Sequence, residues 1–332
     1  MNIHIHKLTD TFSRLNILGR KKLFLFLLAG SGLLLPADQL FAQSLNVSGT
    51  VVHIPAGTNL VTPGNIMLES NGSIDNSGVI QIQGDWINNA NGLINSSPGE
   101  VVFNGTSSQA VSGTSSTTFY NLTLDNGSGL VLNTNEMVDG TLDFTNGKIT
   151  TGSNTIAVGL GGTVTNAATG KYVYGNLEKF LNASGSKNFE IGDVSIYAPV
   201  NLLMNGVTGS GSVTASTASG VAPNENNPVV NASGIDQNAR ANRYWSLTQA
   251  GFTFSDYDAT FNYDAGEATG NPLNYVVRKF DLPSNWIATT TGTVTSTSTQ
   301  ATGLTSFSEF EVGEPNALSI SCPGDITPVI LS

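Results

Sequence analysis

The feature that most constrains this chain is a corner that returns at near-constant intervals. Asn71-Gly72, Asn91-Gly92, Asn126-Gly127 and Asn146-Gly147 are separated by 20, 35 and 20 positions, and NGSIDNSGVIQIQGD aligns with NGLINSSPGEVVFNG after a one-residue shift. Between corners the apolar residues alternate. VIQIQGDW sets Ile80 and Ile82 against Gln81 and Gln83, and TFYNLTLDN sets Tyr120, Leu122 and Leu124 against Asn121, Thr123 and Asp125. Period two with turn punctuation predicts short strands, and a quasi-repeat of roughly 20 residues predicts stacked coils.

Asn-Gly is also the strongest hairpin signal, so an antiparallel meander competes. A parallel β-solenoid is favoured because many short strands, with corners where Asn and Gly accept a left-handed backbone, can stack inward Ile, Val, Leu and Phe into one narrow core. The same stacking accounts for a charged content of only 11%, against about 25% in ordinary soluble domains. Strands lie about 4.8 Å apart, so a charge would meet its own kind above and below, whereas Asn, Ser and Thr form ladders. The Asn-x-Ser/Thr triplets at Asn46, Asn95, Asn104, Asn121 and Asn126 follow from this composition rather than from glycosylation.

The first 43 residues read as an export signal. Arg20-Lys21-Lys22 precede the apolar run 23–35, which Pro36 breaks, and cleavage is expected near Ala42/Gln43. The run is too short for a membrane span, so the mature chain is not expected to cross a membrane. Without the leader the chain has eight basic and 22 acidic residues, a net charge of −14, and no Lys or Arg lies between Leu45 and Gly147. Phosphate-backbone recognition requires clustered Lys and Arg, which excludes nucleic acid as a partner.

After KYVYGNLEKFL the strands lengthen and aromatics increase. In NRYWSLTQAGFTFSDYDATFNYD, Tyr257, Ala259, Phe261 and Tyr263 form one face, opposite Asp256, Asp258, Thr260, Asn262 and Asp264. Further on, Phe310 and Val312 alternate with Glu309 and Glu311. One dry face and one wet face predict a β-sandwich, with APNENNPVVNASGIDQNARAN as its longest unstructured stretch. The expected organisation is a signal peptide (1–43), an all-β solenoid-like repeat domain (44–176), a β-sandwich domain (177–314), and a linker with the start of another module (315–332).

The segments TFYNLTLDN, VDGTLDFTNGKI, KYVYGNLEKF, FEIGDVSIYAPV, NRYWSL and LTSFSEFEVGE resemble the modular secreted, adhesin-like surface proteins of Bacteroidetes-type bacteria. That resemblance spans residues 45–314 and implies coils and sandwich modules followed by further modules and a sorting domain read by secretion machinery. The tail PNALSISCPGDIT resembles the opening of a hyalin-repeat (HYR) module, an immunoglobulin-like domain, through Cys322, Pro323, Asp325 and Ile326. The resemblance implies a disulfide between Cys322 and a cysteine absent from this chain, and hence a truncated module. A reactive free thiol or an intermolecular bridge is the other reading of an odd cysteine.

Chemistry is sparse. His53 is the only histidine after the leader, so a Ser-His-Asp triad would have to be built around it in TVVHIPAG, without a Ser-containing elbow. One His and one distant Cys do not make a zinc site, and GLGGTVTNA lacks the Lys of a phosphate-binding loop, so no cofactor is expected. Asp85, Asp125, Asp139 and Asp143 are the carboxylates that neighbouring coils could bring together for glycoside hydrolysis; a lyase is disfavoured because the solenoid segment has no basic residue before Lys148. Asp256, Asp258 and Asp264, near Glu267, are weak calcium candidates because alternate strand residues lie too far apart to share an ion. TTTGTVTSTSTQ places Thr289, Thr291, Thr293, Thr295, Thr297 and Thr299 on one face of an expected edge strand or linker, a single row too narrow for an ice-binding array. The expectation is a non-enzymatic secreted or surface structural protein, a solenoid stalk with a sandwich module that binds extracellular carbohydrate or a surface; the alternative is a carbohydrate-active β-helix enzyme.

Overall fold

A computed structural model describes residues 15–18, 39–41, 43–90, 98–226, 232–281 and 285–316. Cys322, the HYR-like tail and most of the leader lie outside them. The chain is a parallel β-solenoid of about seven turns that runs into antiparallel sheets.

Each coil carries up to three strands. On the first face Leu45–Ser48, Ile66–Glu69, Trp86–Asn88, Gln109–Gly113 and Leu130–Leu132 pair in parallel. On the third, Asn59–Thr62, Val79–Ile82, Glu100–Phe103, Asn121–Asp125, Thr141–Asn146 and Thr163–Thr165 do the same. The second face pairs Val51–Ile54 with Ser73–Asn76 and, further along, Thr118–Phe119 with Glu136–Val138. Leu15–Leu18 and Gln39–Phe41, from the segment read as a leader, add one strand each to the first and third faces.

Register converts alternation into a core. Leu60, Ile80, Val101, Leu122 and Leu142 stack in one inward column, and Ile82, Phe103, Leu124 and Phe144 in the next; all are buried. At about 25 cal/mol per Å² of apolar surface, such columns are the main stabilising term. The corners stack as well. Gly147, at φ +87, sits where an added Cβ would strike the Asn126 carbonyl of the coil below, so the Asn146 corner accepts only glycine at that point.

The Asn-rich composition serves the corners. Asn65, Asn121 and Asn135 each accept a backbone N–H from the next coil, from Asp85, Thr141 and Thr155. Asn126 is fully buried and donates to the Ser107 carbonyl and to Gln109 Oε1, while Gln109 in turn donates to the carbonyls of Ile82 and Gly84. As folded, Asn126 has no room for a glycan.

The strand Val173–Leu181 closes the solenoid and begins the antiparallel region. One edge pairs in parallel with Ile149–Val158; the other pairs antiparallel with Gly211–Ser219. The sheet continues through Ile235–Ala250, Glu309–Pro315, Val276–Asp281 and Asn285–Ala288. A second antiparallel sheet runs Gly185–Phe189, Val200–Asn205, Asp256–Asn262, Ser298–Leu304 and Thr290–Val294. Trp245 and Phe310 of one sheet pack on Phe261 of the other at ring separations of 5.1 and 4.9 Å, an arrangement compatible with the expected sandwich.

Four local expectations are corrected. Tyr120 does not share a face with Leu122: the chain bends there, and Phe119 is the buried side chain. The threonine row is folded in two, because the chain reverses at Thr295, whose N–H donates to the Ser298 carbonyl, and Thr299 turns into the core. The Pro- and Asn-rich stretch holds a short 3-10 turn, Pro223–Asn226, and the start of the strand Ile235–Ala250. Glu311, expected on a wet face, is 1% exposed beside that turn and accepts the Ala222 N–H.

Candidate functional site

The four solenoid aspartates fall on different parts of the coil. Asp85 sits at the corner between the third and first faces, where its Oδ1 accepts the Ala110 N–H at 2.8 Å. Asp139 lies at the corner between the second and third faces, its N–H bonded to the Phe119 carbonyl. Asp125 ends the strand Asn121–Asp125 and is exposed. Asp143 stands on the third face, bound by Thr145, Thr165 and Asn166. His53 pairs with Asp75 of the next coil at 2.9 Å on the open surface.

The calcium candidates are likewise turned to separate partners. Asp256 accepts from Asn205 and Ser255, Asp258 from the Gly303 N–H, and Asp264 from the Gly266 N–H. Glu267 belongs to a buried cluster instead. Its two oxygens receive Nε and Nη2 of Arg243, a residue fully removed from solvent, whose Nη2 also reaches Asp193 at 3.0 Å and whose Nη1 reaches Thr217. Burial alone would raise the Asp193 carboxyl, but the N–H groups of Ser195 and Ile196 and the guanidinium hold it below its ordinary value. Among the described residues no three His, Cys, Asp or Glu side chains are grouped as a metal would require.

Other ionisable side chains are buried as well, Glu136 and the Lys179–Glu190 pair among them. Glu136, 2% exposed, accepts the Thr117 N–H at 2.6 Å and the Thr134 hydroxyl. Burial pushes its carboxyl up to about 7, against the pull of those two donors. Lys179 donates to Glu190 at 2.7 Å beneath the first strand of the second sheet.

A cleft of about 480 Å³ opens in the antiparallel region. Phe254, Phe280 and Phe307 supply its apolar wall, and Thr248, Gln249 and Glu309 are among its polar groups. Phe307 is fixed by stacking on Tyr257, centroids 4.4 Å apart and planes 9° from parallel. The volume lies within the few hundred to about 1,000 Å³ usual for small-ligand sites. Glu309, held by Asn224 at 2.9 Å, is its one carboxylate. No strand alternation points to this cleft; the available signal was Phe307, an aromatic out of phase with Phe310 and Val312 in TSFSEFEV.

By its fold this is a parallel β-solenoid protein with an antiparallel C-terminal region. Comparisons with protein-family models, with curated proteins and with solved structures give no match to the chain. Among the described residues no helix is long and apolar enough to cross a membrane.

Proposed function

We propose that this chain is a non-enzymatic secreted or cell-surface protein of adhesin-like type, in which the solenoid is a stalk and the cleft beside Phe307 takes extracellular carbohydrate. The observation that supports it is the division of labour among side chains. Asp85 and Asp143 are engaged in hydrogen bonds between coils, while the cleft joins aromatic rings to hydroxyl and amide groups and the single carboxylate of Glu309. Sugars present an apolar ring face and a hydroxyl rim, and such a wall meets both.

The test is a retention and turnover screen of the chain on plant and algal polysaccharides. Phe307→Leu and Gln249→Ala should weaken retention about tenfold, a loss of roughly 1.4 kcal/mol, with the β-sheet circular dichroism unchanged. Release of reducing ends that disappears in Asp143→Asn or Asp85→Asn would establish the carbohydrate-active enzyme instead.

A further inference from the structure

Where the last coil meets the second sheet, one carboxylate holds a lysine amine and an asparagine amide. Lys179 occupies an inward slot of the second face, in register with Val158 and, one coil below, Val138. An aliphatic side chain fills that slot in both coils beneath it. The Lys179 Nζ donates to Glu190 Oε2 at 2.7 Å, and Asn188 Nδ2 donates to Glu190 Oε1 at 2.8 Å. Asn188 Oδ1 accepts from Asn201 Nδ2 at 2.6 Å, which polarises the amide carbonyl. Lys179 and Glu190 are buried, with the Phe189 ring 5.8 Å from the amine.

A buried ion pair is a poor device for stability alone, since a well-packed aliphatic replacement is often neutral or stabilising. The third member, the asparagine amide, gives the group a chemical sense. We propose that Lys179 and Asn188 join in an intramolecular isopeptide bond, with Glu190 carrying the proton. The lone pair of the Lys179 amine attacks Cγ of Asn188, whose carbonyl oxygen is held by the Asn201 amide. A proton from the attacking nitrogen passes to one oxygen of Glu190, and the other oxygen delivers a proton to Nδ2. The Cγ–Nδ2 bond then breaks, the Nζ–Cγ amide remains, and one ammonia leaves. No oxidant or cofactor enters the balance.

The surroundings favour each part. Burial lowers the Lys179 pKa below its ordinary value, against the attraction of Glu190, and so moves the amine toward its nucleophilic form. A cleft of about 240 Å³ lined by Lys179, Asn188 and Glu190 leaves a way out for ammonia. The bond would tie the last solenoid strand to the first strand of the second sheet. It is independent of what the Phe307 cleft binds.

Intact mass of the folded full chain decides the matter. The wild type should be lighter than its sequence by one ammonia, while Lys179→Arg and Glu190→Gln, each compared with its own sequence, should keep the full mass. Trypsin should cut at Lys187 yet leave the two flanking peptides joined through residues 179 and 188. A folded wild type that holds its full mass after prolonged incubation at neutral pH overturns the proposal. So does an ammonia loss that persists in Lys179→Arg, the result expected if an Asn-Gly corner had cyclised instead.

Discussion

Glu136 shows how one buried side chain sets a measurable property of the whole chain. Folded, it keeps its proton up to about pH 7, whereas an ordinary glutamate releases it near 4.5. The folded state therefore binds more protons across that interval, and stability falls as pH rises through it. The expected loss is about 3 kcal/mol between pH 4.5 and pH 7, at 1.36 kcal/mol per pH unit. Glu136→Gln should remove that slope relative to wild type, because a neutral amide can still accept from the Thr117 N–H; denaturant titrations at several pH values measure it. Gln109 is the complementary case. Replacing it with Leu removes the partner of the Gly84 carbonyl, of the Gly105 N–H and of one Asn126 amide hydrogen, and should cost about 3 kcal/mol in the same assay. Neither burial was legible beforehand, since a lone Glu or Gln in a turn-rich stretch reads as solvated.

At the scale of the strand, alternation proved a reliable guide wherever both neighbours were coils of the same kind. Ile80, Ile82, Leu122 and Leu124 point inward as their spacing requires, and so do Tyr257, Ala259 and Phe261. Prediction from spacing broke down where the chain changes direction within an apparently regular run. Tyr120 and the threonine row both do so: period two carries no information about a bend, and two short strands joined at a corner mimic one long strand. The acidic residues misled for a different reason. Asp85 and Asp143 share a region of sequence, but which edge of the coil each occupies depends on corner positions that vary by a residue or two between coils. A deletion tests the register directly. Removing residues 66–85 brings Trp86 onto Leu45, the place Ile66 held, and the shortened chain should fold with the same β-sheet spectrum. Removing 66–75 should abolish folding, because it takes out the first-face strand and most of the second-face strand of one coil and leaves two third-face strands, Asn59–Thr62 and Val79–Ile82, in succession.

In the whole molecule, Val173–Leu181 belongs to both the coils and the antiparallel sheet, and Arg243 fastens the junction by reaching Asp193 and Glu267. Arg243→Ala leaves two buried carboxylates without their cation and should destabilise by about 3–5 kcal/mol. Trp86 reports on the coils and Trp245 on the antiparallel region. Their fluorescence should lose its native signal at one denaturant concentration in the wild type and at two in Arg243→Ala. Separate wild-type midpoints would show that the shared strand does not couple the regions.

The parallel stacking also governs how the molecule bears load. Hydrogen bonds between coils point along the solenoid axis, so tension applied along that axis meets them head-on, a few at a time. Under a pulling force the coils should peel off singly, each releasing roughly 20 residues, or about 70 Å of extended chain. The antiparallel sheets, whose strands would have to slide past one another, should yield last. In the stalk role proposed above, a solenoid built this way would lengthen stepwise under drag and wind back when the drag ceases, acting as a spring rather than a rigid rod.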